Sequence, residues 1–396
     1  MSHVAYVSTY VPKRCGLATY TSHLRQYVQN AEQGCKADTV IAMVDQSEDL
    51  QAYDPSLWFL RRDVREDYRK LAQRVNNSPV TVVSLQHEFG IFGGNAGEYV
   101  LDFVRELRKP LVTTFHTVLE SPQDPLRSVQ EEIAQRSDRI VVMSRRAIDL
   151  LANQYRLPKS KIVYIPHGTP VPSPDRREPM RKQLGWSDKR VVMTFGLLSR
   201  GKGLELILKA LPEVVRRVPN VLYAIVGQTH PEVKKHEGEA YREQLKEMIR
   251  ELNLEQHVVM IDRYLSEDEL VDHIMACDLY VTPYPGMQQI TSGTLAYAVG
   301  LGRPVLSTPY VYAQDLLGEF EDLLIPYGDV DAWAQTISRL LSDTTTLQQW
   351  EQRIQQIGRE MSWPRVGESH ARLFGELSQK HRKIESEGNA VGSVSR

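Results

Sequence analysis

The sequence predicts an α/β chain of two tandem, doubly wound, Rossmann-like domains facing a central cleft, and three observations support this. Short β-branched runs alternate with amphipathic helical stretches from end to end, the pattern of a parallel sheet covered by helices. At roughly 100 to 200 residues per domain, a chain of 396 residues favours two domains over one. A proline-rich stretch, Thr169-Pro-Val-Pro-Ser-Pro174, can continue neither a ladder nor a helix, and the alternation restarts after it.

In the first half, His3 to Ser8, Thr39 to Val44, Val80 to Leu85, Pro110 to Phe115 and Arg139 to Met143 read as buried strands. Between them lie helices such as Arg145 to Tyr155, with Ile148, Leu151 and Tyr155 on one face. The second half repeats the pattern with Val191 to Phe195, Val221 to Val226, Val258 to Ile261, Leu279 to Thr282 and Pro304 to Ser307. Leu204, Ile207, Leu208 and Leu211 have the spacing of a core-facing helical stripe, and Ser266-Glu-Asp-Glu269 reads as a capping box. This places a first domain at 1–170, a second at 171–363, a last helix at about 364–383 and a flexible polar tail at 384–396.

Hydrophobic residues make up 41% and charged residues 25%, ordinary values for a folded chain. Lys plus Arg, 48, against Asp plus Glu, 50, leaves a net charge of -2, which argues against nucleic acid as a partner. Cys15, Cys35 and Cys277 offer neither a disulfide framework nor a CxxC zinc pattern, so a reducing, cytoplasmic setting fits best. No run approaches the roughly 20 apolar residues of a membrane span, which leaves peripheral membrane contact at most; the oligomeric state stays open.

Chemistry is expected where apolar strands end. Gly16 opens a helix after the first strand, beside Lys13 and Arg14, and reads either as the glycine of a tight turn or as the approach to an anion. His87, Glu88 and His116 follow strands and point into the cleft in this reading, with turn-satisfying histidines as the alternative. Phe195-Gly-Leu-Leu-Ser-Arg-Gly-Lys-Gly203 joins a strand to a helix, and Arg200 and Lys202 there suit a diphosphate, although its spacing is not that of a P-loop. Gln288-Gln-Ile-Thr-Ser-Gly293 precedes an apolar helix, so that Thr291 or Ser292 can cap it while Gly293 admits a ligand. Asp329-Val-Asp331 mimics a metal-binding DxD but sits at a helix start, where acidic residues belong for capping.

These pieces, in this order, resemble the retaining nucleotide-sugar glycosyltransferases of the GT-B fold, the group called "glycosyl transferase group 1". The resemblance rests on the Gly16 loop, His116, Val142-Met-Ser144, Ile165-Pro-His-Gly168, Phe195 to Gly203, Val226-Gly227, Cys277-Asp-Leu-Tyr-Val-Thr-Pro283 and Gly302-Arg-Pro-Val-Leu306. It implies that Lys202 meets the donor diphosphate, that Gly16 lines the donor and acceptor site, and that His116 lies beside the transferred sugar. It also implies that the strip around Arg263 and Tyr264 holds the nucleobase, that no catalytic metal or other cofactor is needed, and that the last helix crosses back onto the first domain.

Two departures stand out. The family's arginine five residues before the lysine is Leu197, which would leave Arg200 as the second cation. The family's E-x7-E carboxylates fall on Gln289 and Tyr297. Donor binding is then expected from Gly16, Arg263, Tyr264, Gln289, Thr291, Ser292, Gly293 and Thr294. The catalytic set is Lys202, Arg200 and His116, with Arg14, His87 and Glu88 on the acceptor side. The implied activity is hexosyl transfer from a UDP-, GDP- or ADP-sugar to a carbohydrate-type acceptor with retention. A nucleotide- or sugar-binding protein without turnover, a nucleotide-sugar epimerase and a phosphorylase are the alternatives.

Overall fold

β-branched and aliphatic runs dominate both halves and are buried on both faces, as a helix-covered parallel sheet requires. The computed structural model describes residues 2–32, 38–46 and 48–393, with 232 and 384–393 as backbone only. It divides into two compact units, residues 1–168 with 363–396, and residues 169–362.

The first unit has seven strands: β1 (Val4–Ser8), β2 (Asp38–Val44), β3 (Trp58–Arg61), β4 (Val82–His87), β5 (Leu111–Phe115), β6 (Arg139–Val142) and β7 (Ile162–Tyr164). Their order is β3-β2-β1-β4-β5-β6-β7, and every pairing is parallel. Val4 of β1 is in register with Asp38 on one side and Val82 on the other. From β1 the chain winds outward through β2 and β3, then returns to build the other side from β4. The switch point therefore lies between β1 and β4, and the loops after these two strands flank its crevice.

The second unit has β8 (Arg190–Phe195), β9 (Val221–Val226), β10 (Val258–Ile261), β11 (Leu279–Thr282) and β12 (Val305–Ser307), in the order β10-β9-β8-β11-β12, again all parallel. Here the switch point lies between β8 and β11. Helix Leu204–Arg217 buries Leu204, Ile207, Leu208 and Leu211 beneath the sheet, each contributing about 1.5–3 kcal/mol relative to exposure.

β3 and β7 are absent from the sequence reading. Both are short edge strands with one buried residue each, and their apolar runs, Leu57–Leu60 and Ile162–Ile165, are too short for periodicity to tell a strand from a helix segment. β4 also ends later than its apolar run suggests: Gln86 and His87 are ladder residues, opposite Thr114 and Phe115 of β5.

The last helix, Trp363–Ser393, packs against helix Gly16–Ala31. A Cβ on Gly367 would lie 2.6 Å from the Tyr27 backbone, so the close approach requires glycine there. Trp363 stacks on Tyr27 at 6.0 Å and covers Gly168, where a Cβ would meet its ring at 2.2 Å. This helix is longer than the expected 364–383. Of the expected tail, 384–393 continue the helical backbone, while 394–396 lie outside the described residues, as does Cys35. Among the described residues no helix is long and apolar enough to cross a membrane.

Candidate functional site

In the second unit the two loops at the switch point meet. The loop after β8 is pressed onto the loop after β11 by two glycines with positive φ. Gly203, at φ 60°, has no room for a Cβ, which would fall 2.2 Å from the Pro283 carbonyl oxygen. At Gly196, φ 132°, a Cβ would lie 3.2 Å from Thr294 Cγ2 and 3.6 Å from Lys202 Nζ. Bare backbone thus floors the space between the lysine and the start of helix Gly293–Gly300.

Lys202 Nζ donates to the Tyr284 hydroxyl at 2.9 Å and stands 4.4 Å from the centre of that ring. The Tyr284 and Thr294 hydroxyls share a 2.6 Å hydrogen bond, and Thr294 is 3.1 Å from Ser292 Oγ. Ser292 caps the helix by accepting from Leu295 N at 3.3 Å. Among the described residues Lys202 has no carboxylate partner. One uncompensated ammonium, three hydroxyls and a helix N-terminus therefore converge at the end of the sheet, an arrangement suited to a polyanion. Tyr284 is the member that sequence reasoning missed; its place between Pro283 and Pro285, just after β11, is the signal.

Other expected members stand elsewhere. Arg200, expected as the second cation, is engaged outside this array: its guanidinium donates to Gln244 Oε1 at 2.6 Å, approaches Glu237 at 3.3 Å and lies 5.4 Å from the Tyr241 ring. From one tight turn Arg200 and Lys202 thus take different partners. Gln289 turns its amide onto the Thr291 carbonyl at 3.0 Å. Tyr297 donates to Glu267 Oε1 at 2.8 Å. Arg263 is paired with Glu269 of the capping box at 2.7 Å, while Tyr264 is exposed. Asp329 accepts from Ala332 N at 2.9 Å and so caps helix Val330–Ser342.

In the first unit, Gly16 opens its helix on the exposed side, and a Cβ there would meet nothing within 4 Å. Cys15 is the cap, accepting from Ala18 N. Arg14 is exposed, whereas Lys13 is held by Asp45 at 2.8 Å and Glu48 at 2.6 Å, which removes it from the anion-binding role its sequence position suggests. His116 donates from Nε2 to Gln86 Oε1 at 2.9 Å, leaving Nδ1 as the acceptor of the neutral ring. Burial, helped by nearby His167 and His87, pushes its pKa down to about 3. Glu88 accepts from Thr117 Oγ1 at 2.6 Å and from Phe89 N at 3.0 Å, and burial raises its carboxyl above the usual range. Glu88 and His116 thus sit at adjacent strand ends.

The expectation that His87 faces a ligand is corrected. As the last ladder residue of β4 it is fully buried between Phe89, Phe92 and Phe115, with ring centroids at 5.0, 5.9 and 5.3 Å. Neither ring nitrogen has a hydrogen-bond partner, and burial alone pushes the pKa down to about 3. Among the described residues no group of three or more His, Cys, Asp or Glu could hold a metal ion.

Residues 176–357 match the family of glycosyl transferases group 1, and residues 16–171 match glycosyltransferase family 4, so each model falls on one unit. The second unit is thus similar to the group 1 glycosyltransferases and the first to glycosyltransferase family 4. The chain is 30% identical over 161 residues to the GDP-mannose-dependent alpha-(1-6)-phosphatidylinositol monomannoside mannosyltransferase of Mycolicibacterium smegmatis, covering 40% of this chain and 39% of that one. Against the D-inositol 3-phosphate glycosyltransferase of Corynebacterium efficiens it is 24% identical, over 68% of this chain and 66% of the relative. The chain thus aligns with less than two thirds of either relative's length. Among solved structures, Anabaena HepE in complex with UDP superposes with a TM-score of 0.73 at 17% identity, covering 94% of this chain and 100% of that one. Sucrose-phosphate synthase from Thermosynechococcus elongatus gives 0.72 at 18% identity, covering 95% and 99%. These likenesses establish the GT-B fold.

Proposed function

We propose that this chain moves a hexosyl group from a nucleoside diphosphate sugar to a carbohydrate-type acceptor, with retention of configuration and without a catalytic metal. The observation that carries the reading is the array Lys202, Tyr284, Thr294 and Ser292 over bare Gly196, with the helix Gly293–Gly300 amides behind it. In the transfer, the bond from the anomeric carbon to the diphosphate oxygen breaks, and the acceptor oxygen bonds to that carbon on the same face. The acceptor's hydroxyl proton passes to the departing diphosphate. Negative charge grows on the leaving oxygen, which a fixed ammonium and helix amides stabilise without reorganising.

His116, neutral at working pH, offers Nδ1 to a sugar hydroxyl, and Glu88 with Thr117 forms a polar pair for the acceptor. Arg263 and Tyr264 flank the nucleobase. Support for a nucleotide sugar also comes from the mannosyltransferase relative, which is GDP-mannose-dependent, and from the UDP held by the HepE structure. A binding protein without turnover is the second reading, favoured by Gln289 folding its amide onto its own loop.

The test is a thermal-shift screen of UDP-, GDP- and ADP-hexoses followed by an assay for nucleoside diphosphate release. A ligand at 100 times its dissociation constant stabilises by about 2.7 kcal/mol. A shift with one base and release of its diphosphate supports transfer; a shift without release supports the binding protein. No shift with any of them refutes both readings.

A further inference from the structure

Strand β4 lies between β1 and β5 at the centre of its sheet, where a parallel strand covered on both faces is expected to be apolar throughout. Ser84 and Gln86 depart from that: both are fully buried, and being two apart they share one face. That face, with Val82 on it, belongs to the core that Tyr20 and Leu24 of helix Gly16–Ala31 complete. Gln86 Nε2 donates to Ser84 Oγ at 3.1 Å, and Gln86 Oε1 accepts from His116 Nε2 at 2.9 Å. The Tyr20 and His116 rings pack edge to face, 4.9 Å between centroids and 89° between planes.

Stability alone does not ask for this buried pair. Replacing both partners of a buried hydrogen bond by apolar groups of the same shape can be nearly neutral, so apolar side chains would serve the core as well. What the pair supplies is direction. With its nitrogen turned to Ser84, the Gln86 amide presents to the imidazole a carbonyl oxygen, which only accepts. In a neutral imidazole one nitrogen donates and the other accepts, and the partner of one sets the role of the other. The ring is neutral here, since burial, helped by His167 and His87, pushes its pKa down to about 3. A carbonyl at Nε2 therefore puts the proton there and leaves Nδ1 its lone pair. A ring protonated at Nδ1 instead would set two lone pairs against each other at 2.9 Å. His116 is half-buried just beyond β5, so its ring carries the direction set by the buried pair to the end of the sheet.

We propose that Gln86, anchored by Ser84, is the positioning residue that holds His116 in its Nε2–H form, so that Nδ1 accepts a hydrogen bond from a sugar hydroxyl of the substrate. The assignment rests on the reading of the chain as a sugar transferase with His116 beside the sugar. It makes the ring a selector: a free hydroxyl can donate to Nδ1, whereas an ether oxygen at the same place cannot.

The experiment is nitrogen NMR of the full chain with isotope-labelled histidine, at neutral pH and without substrate, the His116 ring signals being identified by their loss in His116→Phe. The wild-type ring is expected to show a protonated, pyrrole-type Nε2 and an unprotonated, pyridine-type Nδ1. Gln86→Met removes the carbonyl but keeps a side chain of similar length, and should give a mixture of the two forms. Ser84→Ala only frees the amide to turn over, and should give a smaller shift in the same direction. In an assay of nucleoside diphosphate release from UDP-, GDP- and ADP-hexoses, Gln86→Met should lower turnover roughly three- to tenfold, the scale of one neutral hydrogen bond, while its affinity for the bare nucleoside diphosphate changes by less than about twofold. A protonated Nδ1 in the wild-type protein overturns the assignment, as does an unchanged Nε2–H form in both variants. A loss of nucleotide affinity equal to the loss of turnover marks a merely structural role and overturns it too. Absence of turnover by the wild-type protein with all three donors overturns the transferase reading and the part of Nδ1 in it, whereas the ring signals, read without substrate, decide separately whether Gln86 sets the tautomer.

Discussion

His87 offers a test that needs no substrate. Its ring is fully buried among three phenyl groups, with both nitrogens unpartnered, and its pKa is pushed down from 6.5 to about 3. In the unfolded chain the same ring titrates at its ordinary value, so acid favours unfolding: the stabilisation is complete above about pH 6.5 and is lost as the pH falls towards 3. At pH 4.5 the unfolded ring is protonated by about a hundredfold and the folded ring hardly at all; two tenfold steps correspond to about 2.7 kcal/mol. His87→Leu removes the titration and the two orphaned nitrogens while keeping an apolar filling. At pH 7 the variant should match or exceed wild type, because unpaired buried polar groups cost about 1–3 kcal/mol. Between pH 7 and 4.5 it should lose about 2.5 kcal/mol less stability, measured by urea denaturation at both pH values. His116, His167 and His370 are also depressed by burial, but their contributions cancel in the comparison. Identical pH dependence in the two proteins would refute the argument.

Lys202→Ala should cost about 2–4 kcal/mol in the transition state, roughly thirty- to a thousandfold in turnover; a near-wild-type rate in a donor-release assay would return Lys202 to a structural role over Tyr284. Arg200→Ala, by contrast, should change turnover by less than about threefold, since its partners are Glu237 and Gln244 on the exposed side. Asp329→Ala should lower stability by about 1 kcal/mol through loss of its helix cap and leave turnover in excess EDTA equal to that without it; metal-dependent loss and rescue would reassign the DxD.

What the sequence made legible were features in which one residue type does one local job. Apolar runs marked the central strands, Ser266 and Glu269 announced their capping box, and Asp329 its cap. Edge strands such as Ile162–Tyr164 were illegible because a run that short shows no period by which a strand can be told from a helix segment. His87 was misread because polarity at a strand's end usually signals exposure, whereas here the ladder continues two residues beyond the apolar run and phenylalanines from beyond β4 and from β5 close over it. Arg200 and Lys202 share one loop, yet only the turn geometry decides which cation faces the array. Tyr297 looked like a loss because a single-chain reading cannot show that a carboxylate 30 residues away is its partner.

The first unit is interrupted: residues 1–168 are completed only by Trp363 and the helix it begins, with the whole of the second unit inserted between. On a ribosome the half made first is therefore the half finished last. Residues 169–362 can close their sheet while the earlier strands still wait for the tryptophan that seals Gly168 and for the Gly367 contact with Tyr27. During that interval the side of helix Gly16–Ala31 that carries Tyr20, His23 and Tyr27 lacks the Trp363 ring that packs on it in the finished fold.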